Sequence, residues 1–244
     1  MEICKQQLLT CYRLTLFVLF LIAGSTAVAQ QKYVGRYDVY TGFADLNTPA
    51  LGLNQTGFHT QAGFNMRRWY SLGLDYSVST GSEVLKPDLL PAALQQELAP
   101  IIIQYMQAGV IPPTYQLTVP ANVFTQSFAA GPQLAYRHFS RATLYLRPSL
   151  GAFRLAATPR PTNYVATVIA KALVPSGHKV DWTGFYGVGG GAELKITRHL
   201  GLMSQLDIVY NHPFNDILAN GTWTERYSIG PLFHFGRNVV ATGK

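Results

Sequence analysis

His59, Asp75, Arg137, Arg147, Glu193, Lys195, Asp207, Arg226 and His234 stand at alternate positions between apolar neighbours. Side chains of these types pass protons, line an ion path or pair with one another. In an extended chain every second residue points the same way. These nine therefore share one face with Gly, Ser and Gln, while Leu, Phe and Tyr take the other. If that face is enclosed, opposite charges must pair, because an unpaired buried charge is very costly. The expectation is a salt-bridge and hydrogen-bond plug. Its rival is a narrow gated pore or proton path.

A second set is His212, Asp216, Glu225 and Ser228. These are the types that a rim enzyme acting on lipid acyl chains would use. A nucleophile needs its base within hydrogen-bond reach, and the spacing predicts loop residues in solvent instead. Gly187-Val188-Gly189-Gly190-Gly191 lacks the Lys-Ser/Thr and the strand-to-helix setting of a phosphate cradle. Glycines inside a strand mark crowding, a bulge or a bend. Both cysteines, Cys4 and Cys11, lie in the first 29 residues, so no disulfide, thiolate–metal site or cysteine nucleophile is expected beyond them. No metal or cofactor and no catalysis are expected.

The elements that carry these residues are strands. Leu72, Leu74, Tyr76 and Val78 alternate with Gly73, Asp75, Ser77 and Ser79, and period two is a strand signal. The same pattern recurs near 36–44, 58–67, 72–79, 124–137, 143–153, 183–197, 201–210 and 224–235. Each is close to the roughly 9–11 residues that a tilted strand needs to cross a bilayer. Three connections, 67–71, 138–142 and 198–201, are tight and basic and look like repeats of one strand–turn–strand unit. The others are long: 45–57, 80–122, 154–182 and 211–223. Within them 91–108 and 163–174 carry apolar residues at helical spacing, read as short helices packed on each other and on a barrel rim. The alternative is a lid or partner-binding surface. A further hairpin in 154–182 would make ten strands.

Lys5 and Arg13 precede an apolar run at 14–22, and Ala27-Val28-Ala29 follows. That is the order of a cleavable export signal, and the run is far shorter than the roughly 20 residues of a spanning helix. The expected division is a signal at 1–29 and one barrel domain at 30–244. The chain carries +7 at pH 7, and loss of Lys5, Arg13 and Glu2 leaves +6. Charged residues are only 13%, against roughly 25% in soluble domains. The cations are scattered without runs, which argues against nucleic acid as a partner.

The alternating strands, the tight turns and the closing Tyr227-Ser228-Ile229-Gly230-Pro231-Leu232-Phe233-His234-Phe235 resemble the OmpA-type small outer-membrane β-barrels. The resemblance implies an all-β, eight-stranded antiparallel transmembrane up-and-down barrel with short helices in long extracellular loops. It also implies that Tyr227, Phe233 and Phe235 are read by the barrel-insertion machinery. Residues 236–244 follow the aromatic at which many members stop, and no peptidoglycan-binding domain is expected, so a cell-wall tether is not implied. On this reading Trp69, Tyr70, Phe139 and Phe235 form one aromatic girdle, with Trp182, Tyr210, Phe214 and Trp223 on the outer side. Arg67, Arg68, Arg141, Arg198 and Arg237 face anionic lipid heads, each worth about 1 kcal/mol. The expected role is structural, adhesive or surface-interacting, with outer-membrane lipid as solvent and loops 80–122 and 154–182 facing an extracellular partner.

Overall fold

Alternation becomes eight strands: β1 (Gly35–Thr48), β2 (Leu53–Asn65), β3 (Tyr70–Leu85), β4 (Val119–Tyr136), β5 (Ala142–Pro159), β6 (Lys179–Lys195), β7 (Leu200–Asn211) and β8 (Thr222–Asn238). The computed structural model describes residues 31–239; the export signal and its cleavage point lie outside them. Each strand pairs antiparallel with the next, and β8 pairs with β1, so the sheet closes. Closure leaves no edge of unpaired backbone groups, which lipid could not satisfy. The strand count is eight, because 160–178 carries a helix rather than a hairpin.

Alternating residues sort as the pattern requires. Phe43, Leu74, Phe128, Leu146 and Phe233 are exposed on the outside, while His59, Gln61, Ser127, Arg147 and Gln205 are buried inside. No helix among the described residues is long and apolar enough to cross a membrane; the strands do it.

The strands run further than the alternation suggests. β3 and β4 stay paired from Tyr70–Leu134 to Leu85–Val119, well beyond one bilayer crossing. The expected long connection at 45–57 is corrected: β1 and β2 pair as far as Thr48–Leu53. Only a 3-10 turn at Pro49–Leu51 and Gly52 join them, with Gly52 at φ 67°, a conformation suited to glycine. Segments such as Thr80-Gly81-Ser82 are polar on both faces, so strand pairing rather than lipid holds them. The tight turns are not three copies of one unit. Those after β2 and β6 share a pattern, in which Met66 and Arg67 donate to Tyr70 O, and Ile196 and Thr197 donate to Leu200 O. In the turn after β4 neither bond recurs.

One line of the wall is weak. The β4–β5 ladder is interrupted between Ala129–Gly151 and Leu134–Leu146. The constant register across the gap sets Pro132 opposite Pro148. Neither has an N–H to give, which removes the bonds of that pair.

The loop end is capped. α1 (Ala92–Gln107) runs through Pro100 without breaking, although a proline inside a helix removes one backbone bond. Packing of Leu98, Ile101 and Ile102 against the cap core offsets the missing bond. α2 (Tyr164–Leu173) starts at Asn163, whose side chain accepts from Ala166 N at 2.8 Å. Val165, Ile169, Leu90, Leu117 and Ile217 form the cap core, and Tyr105 meets Tyr164 edge-on at 5.9 Å. Beneath the cap the barrel interior is apolar, filled by Leu53, Val123, Phe153, Leu155, Phe185 and Val209. The expected plug of charges and hydrogen bonds therefore fills only part of the lumen. Inward positions above the bilayer band seal against the cap, and there apolar packing serves best.

Candidate functional site

Below that apolar layer, inward residues form two charged layers. The middle layer follows from register. Arg147, Gly189, Asp207 and Arg226 lie in one row across β5, β6, β7 and β8. Gly189 is the gap through which Arg147 reaches Asp207: a Cβ there would sit 1.8 Å from Asp207 Oδ1. Likewise a Cβ at Gly191 would meet the Tyr145 hydroxyl at 2.3 Å. The glycine run therefore marks crowding on the inward face of β6.

Asp207 accepts from Arg147 Nη2 at 3.0 Å, Arg226 Nη2 at 2.7 Å, Ser149 Oγ at 3.2 Å and Gln205 Nε2 at 2.8 Å. Arg147 Nη1 also donates to Asp75 Oδ2 at 2.5 Å. Arg226 Nη1 donates to Ser127 Oγ at 2.8 Å and Ser77 Oγ at 3.2 Å. Two carboxylates thus face two guanidiniums, and the layer balances its charge.

The lower layer lies toward the short turns. His234 Nδ1 meets Asp38 Oδ1 at 2.6 Å and its Nε2 meets Glu193 Oε1 at 2.7 Å. Asn65 Nδ2 donates to Asp38 Oδ2 at 2.5 Å, and Arg137 Nη2 donates to Asn65 Oδ1 at 3.0 Å. Arg137 Nη1 also donates to the Arg68 carbonyl. Lys195 stands apart from this network: its Nζ donates to Gln31 Oε1 at 2.8 Å and Tyr33 O at 2.9 Å, tying down the segment before β1. Asp38, Asn65, Tyr145 and Gln205 join the lumen without having been singled out in the sequence. Asp38 and Tyr145 sit in correct alternation, and that signal was available.

One chain of contacts has the connectivity of a nucleophile, base and acid. Ser228 Oγ lies 3.0 Å from His59 Nδ1, and His59 Nε2 lies 2.8 Å from Asp75 Oδ1. Catalysis also needs access for a substrate. Ser228 and His59 are 1% and 0% exposed, and Asp75 is shared with Arg147. The chain is a buried structural relay. The rim set does not converge: His212 Nε2 is 3.3 Å from Leu218 O, Asp216 pairs with Lys179, and Ser228 points into the lumen. Among the described residues no three His, Asp or Glu side chains cluster as a metal site would require.

The interior voids are small. One of about 20 Å³ lies between the charged layers, against Asp38, Tyr40, Gln61, Arg137, Tyr145 and Glu193. One of about 10 Å³ lies beside Pro148, Asp75 and Arg147 at the weak line. These are water-sized. Gln61, whose Oε1 has no protein partner, lines both voids.

The aromatic residues of the outer surface gather toward the two ends. Near the short turns Tyr37 stacks on Phe235 at 5.6 Å, Trp69 contacts Tyr70 at 5.6 Å, and Phe139 meets Tyr136 at 5.8 Å. Toward the loops Tyr210 contacts Tyr186 at 5.6 Å and Trp223 at 5.5 Å, and Trp182 stacks on Phe128 at 6.1 Å. Phe214 packs instead against the cap. In the closing strand Tyr227 is partly covered, whereas Phe233 and Phe235 are exposed.

A closed antiparallel sheet with an apolar outside and a charge-paired inside defines a class, the transmembrane β-barrels. Its eight-strand, up-and-down order, with short turns at the end holding both ends of the described chain, is the one expected from the resemblance to the OmpA-type small outer-membrane barrels. No family model and no curated protein matches the sequence. Among solved structures, Neisserial surface protein A is similar at 11% identity and a TM-score of 0.49, over 82% of this chain and 96% of that one. The outer membrane protein OprG of Pseudomonas aeruginosa is similar at 10% and 0.47, over 86% and 100%. Ail, the attachment invasion locus protein of Yersinia pestis, is similar at 10% and 0.44, over 83% and 99%. The assignment of class rests on this chain's own strand order, closure and surface.

Proposed function

We propose that the protein is an integral outer-membrane barrel without catalytic activity, and that its role is structural or adhesive, exercised through the helical cap. The observation that carries this reading is the stacked filling of the interior: two charge-paired layers, then an apolar layer, then the cap core. A sealed interior argues against a conduit and leaves the loops 86–118 and 160–178 as the surface offered to the outside. Outer-membrane lipid is the solvent of the wall. The barrel-insertion machinery is a partner during assembly, with Tyr227, Phe233 and Phe235 as its recognition residues. An extracellular partner engages the cap.

The test is gel migration of outer-membrane fractions with and without boiling, followed by planar-bilayer recording. The expected result is a band that shifts only when unboiled, with no single-channel steps. A soluble protein without a shift would refute the membrane reading. Reproducible steps altered by Arg147→Ser would replace the sealed barrel with a pore.

A further inference from the structure

On the outer face of β2 to β5 the wall is hollowed. Ala62, Ala130 and Ala152 point outward where neighbouring positions carry larger side chains. Together with Leu74, Leu150 and Phe128 they line an apolar groove of about 800 Å³. The groove runs beside the weak line of the wall. At its loop end stands a polar chain on the same lipid-facing side. Arg154 Nη1 donates to Gln126 Oε1 at 3.2 Å, and Gln126 Nε2 donates to Tyr76 Oη at 3.0 Å. Tyr76 itself lines the groove. Trp182 is the direct cross-strand neighbour of Arg154 and stacks on Phe128.

Depth can be read from the strand. On β5, Arg154 is about ten residues from Leu144, the span of one tilted crossing. An arginine on the lipid face costs about 2–4 kcal/mol at mid-bilayer and about 0–1 near the interface. Arg154 therefore stands at headgroup level. Arg160 lies above it. With its amide oxygen turned toward that guanidinium, Asn122 accepts from Arg160 Nη2 at 2.8 Å and Nε at 3.1 Å. Among the described residues neither arginine has a carboxylate partner.

We propose that this face holds one anionic phospholipid-type molecule of the loop-side leaflet, its phosphate on Arg154 and an acyl chain in the groove. The inference rests on the outer-membrane reading above. Charge complementarity selects the head, since guanidiniums bind phosphate through paired N–H donors. The apolar groove directly below selects a lipid rather than a free anion.

The experiment uses the full mature protein, refolded and equilibrated with phosphatidylcholine vesicles containing a minor fraction of phosphatidylglycerol. Lipid retained per barrel is counted by native mass spectrometry, and each variant is first checked for its unboiled gel shift. Wild type is expected to retain one phosphatidylglycerol. Arg154→Gln, and separately Ala130→Leu with Ala152→Leu, should each lower retention at least about tenfold, because charge-assisted bonds and groove contacts are each worth that much. Equal retention by either variant overturns the proposal. So does displacement by inorganic phosphate with no effect of filling the groove, which marks a simple anion site. A dimer occluding the groove overturns it too. A normal gel shift without lipid retention would sink this inference and leave the membrane reading standing.

Discussion

Asp207→Asn is the sharpest probe of the sealed lumen. The substitution keeps shape and removes one charge from a layer of two carboxylates and two guanidiniums. Asp207 is 1% exposed and accepts from Arg147, Arg226, Ser149 and Gln205. With Asn there, one of the two oxygens becomes an NH2 group facing donors, so either Arg226, left with Ser77 and Ser127, or Arg147, left with Asp75, loses its acceptor. Breaking a buried pair from one side costs about 3–5 kcal/mol, or two to four powers of ten in the folding equilibrium. Adding Arg226→Gln restores the charge balance. The double variant should therefore be less destabilised than the sum of the singles, by up to about 3 kcal/mol. The assay is urea unfolding in lipid vesicles, read by loss of the unboiled band. A cost below about 1 kcal/mol for Asp207→Asn, with strictly additive singles, would mean that water screens these charges as it does on a surface. The sealed-lumen argument would then fail.

Gly189→Ala should destabilise the barrel by about as much as Asp207→Asn, since its methyl group displaces the Asp207 carboxylate; the same urea titration checks it, and a neutral result would mean the row can shift. Trp69, Trp182 and Trp223 are each more than half exposed, and their fluorescence should be quenched more by lipids brominated near the headgroup than near the chain end. Ile169→Asp places a charge in the cap core, where Ile169 is fully buried. Limited proteolysis should then cut within 86–118 and 160–178 while the strands stay protected, and uniform digestion would show that cap and barrel unfold as one. Pro132→Thr with Pro148→Thr restores two donors to the β4–β5 ladder and should raise stability by about 1–3 kcal/mol.

The strands were legible because lipid and lumen demand opposite side chains at successive positions. Phe58 to Phe64 on β2 and Leu144 to Ala152 on β5 show it directly. Their upper ends were not legible. Past the bilayer band, Thr80 to Ser82 no longer alternate, and the apolar inward residues Phe153, Leu155 and Phe185 read like any core. Inward charges are visible in the sequence, but their pairing is not, because the row Arg147–Gly189–Asp207–Arg226 depends on the stagger of four strands. Gly189 illustrates this: alone it reads as a flaw in β6, and it acquires meaning only beside Asp207. Lys195 follows the same alternation, yet it lies at the mouth and holds Gln31 instead.

The facing prolines have a geometric consequence. In a ring of eight strands the line between β4 and β5 is diametrically opposite the line where β8 meets β1. The wall is thus two four-stranded half-shells, joined on one side by the pairing of its first and last strands and on the other by a join lacking its central bonds. A sheet that must curl until its first and last strands touch bends most easily where its ladder is thinnest. The same proline double variant should accordingly refold more slowly even as it becomes more stable. Pro132 and Pro148 act as the spine of a book, and β1 and β8 are the page edges that it brings together.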